Sequence, residues 1–253
     1  MENKKENIYE TDALVSQYCE FQYGDEYLDI ENFAKVCAQK AISYSAAIPQ
    51  RRALDLGCAT GRASFELAKV FEYVNGVDYS QAFINIAKDI QSDGCISYAL
   101  YSEGAIKQCK EVCLKSLGLD DVREKVEFFQ GDACDLMPLL AEYDLVMATN
   151  LIDRLYEPQL FLKTIHTRIN DNGYLVLTSP YTWLEEYTKK EFWIGGYYDP
   201  EGNEVSTLEG LKETLNENFD LVNVEDVPFV IRETPRKYQY TLSQMSVWKR
   251  KER

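Results

Sequence analysis

Histidine is almost absent from this 253-residue chain, which has only His166, and its seven cysteines (19, 37, 58, 95, 109, 113 and 134) form no Cys-x-x-Cys pair. A structural zinc centre takes about four closely spaced nitrogen or sulfur ligands, so no metal is expected. Cys109 and Cys113 are four apart, a spacing that one helix face brings together, but no further ligand completes a site. The cysteine set is odd in number and lacks the spacing of a disulfide framework, so it reads as buried, reduced thiols. No apolar stretch approaches the roughly 20 residues that cross a bilayer. The N-terminal MENKKENIYETD has no apolar signal-peptide core. A cytoplasmic protein is the expectation. Positive charge is scarce as well: 27 basic residues face 42 acidic ones, for a net charge of −15. Nucleic-acid binding needs a cationic face to displace counterions, and this balance disfavours it. A small molecule carrying positive charge suits the chain better.

What the chain does have is an ordinary globular composition, 45% hydrophobic and 13% aromatic, over a length that buries a substantial core. There are no repeats and no low-complexity linker, so a single domain over 1–253 is expected. Residues 1–50 read as an N-terminal extension or lid, with aromatic-rich SQYCEFQYGD (16–25) and helical spacing over 30–47. From there β-type runs alternate with helical patterns: 52–57, 73–78, 125–132, 143–150 and 173–180 as strands, and the segments after 61, 80 and 157 as helices. Ser80 fits the N-cap of the second of these. Alternation of this kind predicts a mostly parallel sheet of α/β type with helices on both faces. Residues 208–219 read as a helix, and DLVNVEDVPFVI and YQYTLSQMSVWKR as two closing strands, an antiparallel hairpin added to the sheet. The long 95–125 segment contains EGAIKQCKEVCLKSLGL, read as helical. VPFVIRETPRKYQY (227–240) reads as the connection between the last two strands.

The chemistry concentrates at strand ends. Residues 53–62, ALDLGCATGR, place Gly57 and Gly61 just after the first strand, where open α/β sheets bind ligands. Their Gly-x-x-x-Gly spacing is not the Gly-x-Gly-x-x-Gly of dinucleotide folds, which argues against a nicotinamide oxidoreductase. Asp55 would repel a pyrophosphate and attract an amino group or sulfonium. Asp78, ending the second strand, can accept from two adjacent ribose hydroxyls. Asp132 ends the third strand and can accept from an adenine amino group. Asn150 ends the fourth, beside the reaction centre. Any one of them also fits a helix cap. Four in succession describe a pocket for a ribose, an adenine and a positive centre without phosphate, a description that S-adenosylmethionine meets.

At this point LDLGCATG, GVDYS, QGDA and YDLVMATNLIDRL resemble, in order and spacing, the cofactor motifs of class I S-adenosylmethionine-dependent methyltransferases. The resemblance covers about 50–180, taken as the cofactor-binding core (51–180). It implies a Rossmann-like, mostly parallel seven-stranded sheet. By it, Gly57 and Gly61 frame the methionine moiety and Asp78 binds ribose. Tyr79 stacks near adenine, Asp132 and Ala133 line its edge, and Asn150 lies by the methionine end, with Asp55, Cys58 and Leu151 also counted among the cofactor-binding residues.

The flanks, SPYTWLEEYTKKEFWIGGYY (179–198), VPFVIRETPRKYQY and VSQYCEF-x-YGD, resemble the 5-thiohistidine N-methyltransferase family of ovothiol biosynthesis over about 8–249. Residues 181–253 would then supply substrate loops and the terminal hairpin. Family members are often fused behind an iron-dependent histidine sulfoxide synthase, so pairing with such an enzyme is implied. The chain departs from the family pattern at Thr234, where a histidine is expected. The implied reaction transfers a methyl group to the π ring nitrogen of 5-thiohistidine, giving ovothiol A and S-adenosylhomocysteine, with no metal, membrane or nucleic acid. No strong base is demanded; Asn150 and Tyr181 would act by positioning. Aromatic walls from Tyr18, Tyr23, Tyr181 or Trp183 would fix the ring, Arg232 or Arg236 would anchor its carboxylate, and Glu185 or Asp153 its ammonium. Methylation of another small amine, thiol or carboxylate fits the core motifs equally well. A non-catalytic partner of the sulfoxide synthase is the alternative of another class.

Overall fold

A computed structural model describes residues 8–252. Its elements are α1 (Asp12–Tyr23), α2 (Phe33–Tyr44), β1 (Arg52–Leu56), α3 (Arg62–Leu67), β2 (Tyr73–Asp78) and α4 (Gln81–Asp93). There follow β3 (Cys95–Glu103), β4 (Ile106–Cys113), β5 (Val126–Gln130), β6 (Tyr143–Thr149), α5 (Pro158–Thr164) and β7 (Ile169–Ser179). The chain continues through β8 (Tyr197–Tyr198), β9 (Glu204–Val205), α6 (Thr207–Leu215), β10 (Phe219–Thr234) and β11 (Lys237–Arg250). Seven strands form one sheet in the order β10-β11-β7-β6-β1-β2-β5. The β7-β6-β1-β2-β5 run is parallel, and β11 joins β7 antiparallel while pairing with β10. This is the Rossmann-like, mostly parallel seven-stranded sheet with a terminal antiparallel hairpin expected from the sequence.

The order reverses at β1, which lies between β2 and β6, so the carboxyl ends of these strands open a crevice. Both faces of the sheet are covered. Leu145 and Met147 of β6 enter a core with residues of α1, α2, α3 and α4, whereas Val146 and Ala148 enter a second core with α5 and α6. That alternation is the strand period of two, and cover on both faces leaves β1 and β6 almost wholly buried. Ser80 caps α4 as expected, its hydroxyl accepting from Phe83 N at 3.2 Å. No described helix is long and apolar enough to cross a membrane.

Two segments differ from the sequence reading. EGAIKQCKEVCLKSLGL is not a helix: β3 and β4 form an antiparallel hairpin outside the main sheet, turning at Gly104 (φ +55°). The spacing of Ile106, Cys109 and Cys113 satisfies a helix, but the alternating burial of Ile96, Tyr98 and Leu100 on the partner strand decides the outcome. In that register Cys95 faces Cys113 and the two form a disulfide, while Cys109 is exposed. The expectation of uniformly buried, reduced thiols is corrected accordingly. The second difference lies at 227–240, which is not a connecting loop. β10 and β11 run on through it and turn only at Pro235–Arg236.

Candidate active site

A cavity of about 770 Å³ opens at the carboxyl ends of β1, β2, β5 and β6, within the usual range of about 300–1,000 Å³ for small-molecule sites. Gly57, Ala59, Asp78, Tyr79, Asp132, Ala133, Asn150 and Leu151 line one part of it. Tyr18, Phe21, Phe33 and Phe229 line another, together with Asp153, Arg154, Glu186, Tyr187 and Glu233.

The loop after β1 is built to sit close to its neighbours. Gly57 has φ +71° and a Cβ there would stand 3.2 Å from Leu151. At Gly61 (φ +95°) a Cβ would meet the Phe128 ring at 2.6 Å. Both positions need glycine. The loop amides face inward rather than toward the cavity. Gly57 N and Cys58 N donate to the Val77 carbonyl at 2.8 and 3.1 Å, and Gly61 N donates to the Cys58 carbonyl at 2.9 Å. Ala59 N donates to Asp78 Oδ2 at 2.9 Å and Arg62 N to Gln22 Oε1 at 3.0 Å. A phosphate cradle works by presenting free amides to the anion, and these five are already spent. The nearby guanidinium of Arg62 is buried against Glu66 at 2.8 Å.

Asp78 holds Ala59 N with one oxygen and Ser80 N, at 2.8 Å, with the other. Each oxygen has a second acceptor site, so the carboxylate can still take two hydroxyl donors from the cavity. Burial pushes its pKa up to about 6, against the pull of the Ser80 and Ala59 amides. Asp132 accepts from Cys134 N at 2.8 Å, and Tyr79 stands at the rim, 68% exposed. Asn150 occupies the left-handed region (φ +51°). Its Oδ1 accepts from the hydroxyls of Thr178 at 3.0 Å and Ser243 at 2.5 Å, which fixes the carboxamide in place.

Asp55, Cys58 and Gly61 are buried and lie outside the cavity lining. Asp55 is fully buried, with Oδ2 accepting from Ser64 Oγ at 2.7 Å and Oδ1 unpartnered. Burial pushes its pKa up to about 7, partly offset by the Ser64 hydrogen bond. It therefore cannot face a cofactor amino group, as its position in the sequence suggested.

Of the residues proposed for the acceptor, Tyr18 and Asp153 line the cavity. Asp153 is fully buried and accepts from Ser179 Oγ, Thr182 Oγ1 and Arg154 Nη1 at 3.0, 2.9 and 2.8 Å. The others are turned away. Tyr23 donates to the Thr60 carbonyl at 2.6 Å, Trp183 to Thr207 at 2.9 Å, and Tyr181 (φ +56°) to Gln244 at 3.0 Å. Glu185 and Arg236 are exposed outside the cavity. Arg232 is buried on the opposite side of β10, near Gln108 (3.4 Å) and Glu20 (4.0 Å).

At Arg232 the correction has a simple cause. Along β10 the cavity-lining residues are Phe229, Ile231 and Glu233, so strand alternation aims Arg232 the other way. Pro180 and Thr182 likewise line the cavity while Tyr181 and Trp183 do not. Sequence reasoning missed Arg154, the one cationic side chain on the cavity wall among the described residues. Its Nη1 bonds the Asp153 carbonyl and carboxylate, and its guanidinium lies 4.9 Å from the Tyr187 ring. It is adjacent to Asp153 in NLIDRL, and that adjacency to a noted residue was the available signal. Gln22, Glu186 and Glu233 were also missed. No cluster of three or more His, Cys, Asp or Glu side chains suited to a metal ion occurs among the described residues.

The chain matches the model of a family described as a methyltransferase domain over residues 30–225. Among solved structures it is similar to the N-methyltransferase NodS from Bradyrhizobium japonicum in complex with S-adenosylhomocysteine. That match has 13% identity, covers 96% of this chain and 100% of that one, and has a TM-score of 0.56. A magnesium protoporphyrin IX methyltransferase from Synechocystis with bound S-adenosylmethionine is similar at 14% identity, 92% and 89% coverage, and a TM-score of 0.52. An S-adenosylmethionine-dependent methyltransferase from Methanosarcina mazei is similar at 18% identity, 83% and 98% coverage, and a TM-score of 0.53. No curated protein sequence matches the chain. At such identities the structures show the fold, and the family match carries the assignment. The chain belongs to the methyltransferase-domain family and is a class I S-adenosylmethionine-dependent methyltransferase.

Proposed function

We propose that the chain methylates the π ring nitrogen of 5-thiohistidine, forming ovothiol A. The flanking motifs carry the identity of the acceptor, and the observation that supports it is the mixed charge of the cavity's second part. Arg154 is there with Glu186 and Glu233, beside the rings of Tyr18, Phe21 and Phe229. An amino-acid zwitterion with an aromatic ring asks for those three kinds of group. The guanidinium would take the carboxylate, Glu186 or Glu233 the ammonium, and the aromatic walls the ring plane.

Gly57, Asp78, Asp132 and Asn150 would hold S-adenosylmethionine, which supplies an already activated methyl group. The work left to the protein is alignment, with reacting atoms about 3–3.5 Å apart. Asn150, fixed by Thr178 and Ser243, keeps its orientation before any ligand arrives. The only histidine, His166, lies in a helical turn away from the cavity, so it serves as no base. The harder task is selectivity, since the acceptor's thiolate is a strong nucleophile on the same small ring as the target nitrogen. The aromatic walls must hold sulfur off the methyl axis while the nitrogen is presented to it. Because the acceptor already carries sulfur on the ring, its source would be a histidine sulfoxide synthase.

The test is incubation of the chain with labelled S-adenosylmethionine and a panel of 5-thiohistidine, histidine, ergothioneine and simple thiols. Location of the label on the π nitrogen of 5-thiohistidine by NMR is the expected result. Methylation on sulfur, or preference for another acceptor, would contradict the reading.

A further inference from the structure

α3 begins at a glycine that cannot cap it. Gly61 has no side chain, and a Cβ at this position would run into Phe128. An acceptor for the first amides of α3 must therefore come from elsewhere in the chain. It comes from α1, 40 residues earlier. Gln22 Oε1 accepts from Arg62 N and from Thr60 Oγ1, both at 3.0 Å, while Gln22 Nε2 donates to the Cys58 carbonyl at 3.3 Å. Tyr23 completes the grip, its hydroxyl donating to the Thr60 carbonyl at 2.6 Å. Arg62 answers in the other direction, with Nη1 donating to the Gln22 carbonyl at 3.3 Å. All of these groups are buried.

The same strap is fastened a second time. Glu10 accepts from Gln81 N and Ala82 N, at 3.0 and 3.2 Å, at the start of α4. Between the two fastenings lie Leu14, Gln17 and Tyr18, which line the cavity.

We infer that Gln22 and Tyr23 are positioning residues for the cofactor: they set the conformation of the glycine loop, so that docking of α1 and binding of the cofactor form one linked equilibrium. Tyr23 does not line the cavity, and any effect it has on the ligand must pass through the loop. The inference rests on the cofactor assignment and is independent of the acceptor. Linkage requires that a ligand favouring the ordered loop also favours docked α1 by the same factor.

The test is calorimetric titration of S-adenosylhomocysteine into the full chain and into Gln22→Met, Gln22→Glu and Tyr23→Phe, below the melting temperature of each. Gln22→Met keeps the volume and removes the polar contacts; its Kd should rise tenfold or more. Tyr23→Phe should raise Kd about threefold to tenfold. Gln22→Glu keeps the acceptor for Arg62 N and Thr60 but loses the donor to the Cys58 carbonyl, so its Kd should fall between those of wild type and Gln22→Met. Gln22→Met and Tyr23→Phe both within twofold of wild type, even with a lowered melting temperature, would reduce the pair to a structural role and overturn the inference. Should a variant fail to fold, amide exchange on the wild-type chain decides. S-adenosylhomocysteine should slow exchange of Arg62 and of the α1 amides together, and unchanged α1 exchange would overturn the linkage. Failure of the wild-type chain to bind at all would instead count against the cofactor assignment.

Discussion

Asp78 Oδ2 accepts the Ala59 amide at 2.9 Å, so the acid that ends β2 is tied to the loop that ends β1. The bond orients the carboxylate before a ligand arrives, and it consumes an amide that a phosphate would have used. Burial pushes Asp78 up to about pKa 6. The ionised form is the one that accepts hydroxyl donors on both oxygens, so ligand binding should favour loss of that proton. Affinity for S-adenosylhomocysteine is expected to be level above pH 7, to halve near pH 6, and to fall about tenfold per unit below that. Titrations at pH 5, 6 and 7.5 check this; an affinity flat across the range would exclude Asp78 as the titrating contact.

Asp55 makes a separate statement about stability. Its pKa rises from 3.8 to about 7 on folding, so the folded state holds the proton more tightly than the unfolded one. Its contribution is fully favourable below about pH 4, and is lost as pH rises through about 7. Asp55→Asn removes this titration, with Ser64 still able to donate to the amide oxygen. The variant should show less decline in melting temperature between pH 5 and 8 than wild type. Identical profiles for the two proteins would mean that Asp55 is not protonated on folding.

Arg154 and Arg232 should separate function from stability. Arg154→Gln is expected to raise the KM of the acceptor more than tenfold, because it removes the cation from the cavity wall. Arg232→Ala should leave that KM within about twofold while lowering stability by about 1–3 kcal/mol, through lost packing and charge near Glu20. Steady-state kinetics paired with denaturant melts would read both effects. The reverse pattern would place Arg232 in the acceptor site after all.

The Cys95–Cys113 pair closes a segment with a sequence separation of 18. Crosslinks over loops of this length stabilise by roughly 3 kcal/mol through the unfolded state. Thiol titration in denaturant without reductant should therefore find five free thiols, Cys19, Cys37, Cys58, Cys109 and Cys134. The Cys95→Ala/Cys113→Ala double variant should melt at a lower temperature. Seven reactive thiols would show the pair to be reduced.

How much was legible follows the range of the forces involved. The parallel core could be read because short, mainly apolar β-runs alternate with helical patterns and end in a polar residue or glycine at the crevice. Asp78, Asp132 and Asn150 come to the cavity from such local positions. Asp55 is the exception: it lies one pleat inside the strand end, and only the packing of α3 shows that Ser64 claims it. The β3–β4 hairpin was hidden because a partner strand, not the segment's own spacing, decides its form. Arg232 was misplaced because 227–240 was taken for a loop, and a loop has no alternation to say which residues share a face. Gln22 could not be found from spacing, since its three partners lie about 40 residues away across a packed interface.

The central claim is that the crevice binds an adenine nucleoside without phosphate, held through Asp78. The most direct measurement is titration of S-adenosylhomocysteine into wild type and Asp78→Ala at pH 7.5, with NAD and ATP as controls. Two charge-assisted hydrogen bonds are worth about 3–6 kcal/mol when both are lost, less whatever water restores. The account predicts binding to wild type, a loss of at least a hundredfold in Asp78→Ala, and no binding of either phosphorylated nucleotide. Equal affinity of the two proteins for S-adenosylhomocysteine, or tighter binding of NAD or ATP, would contradict it.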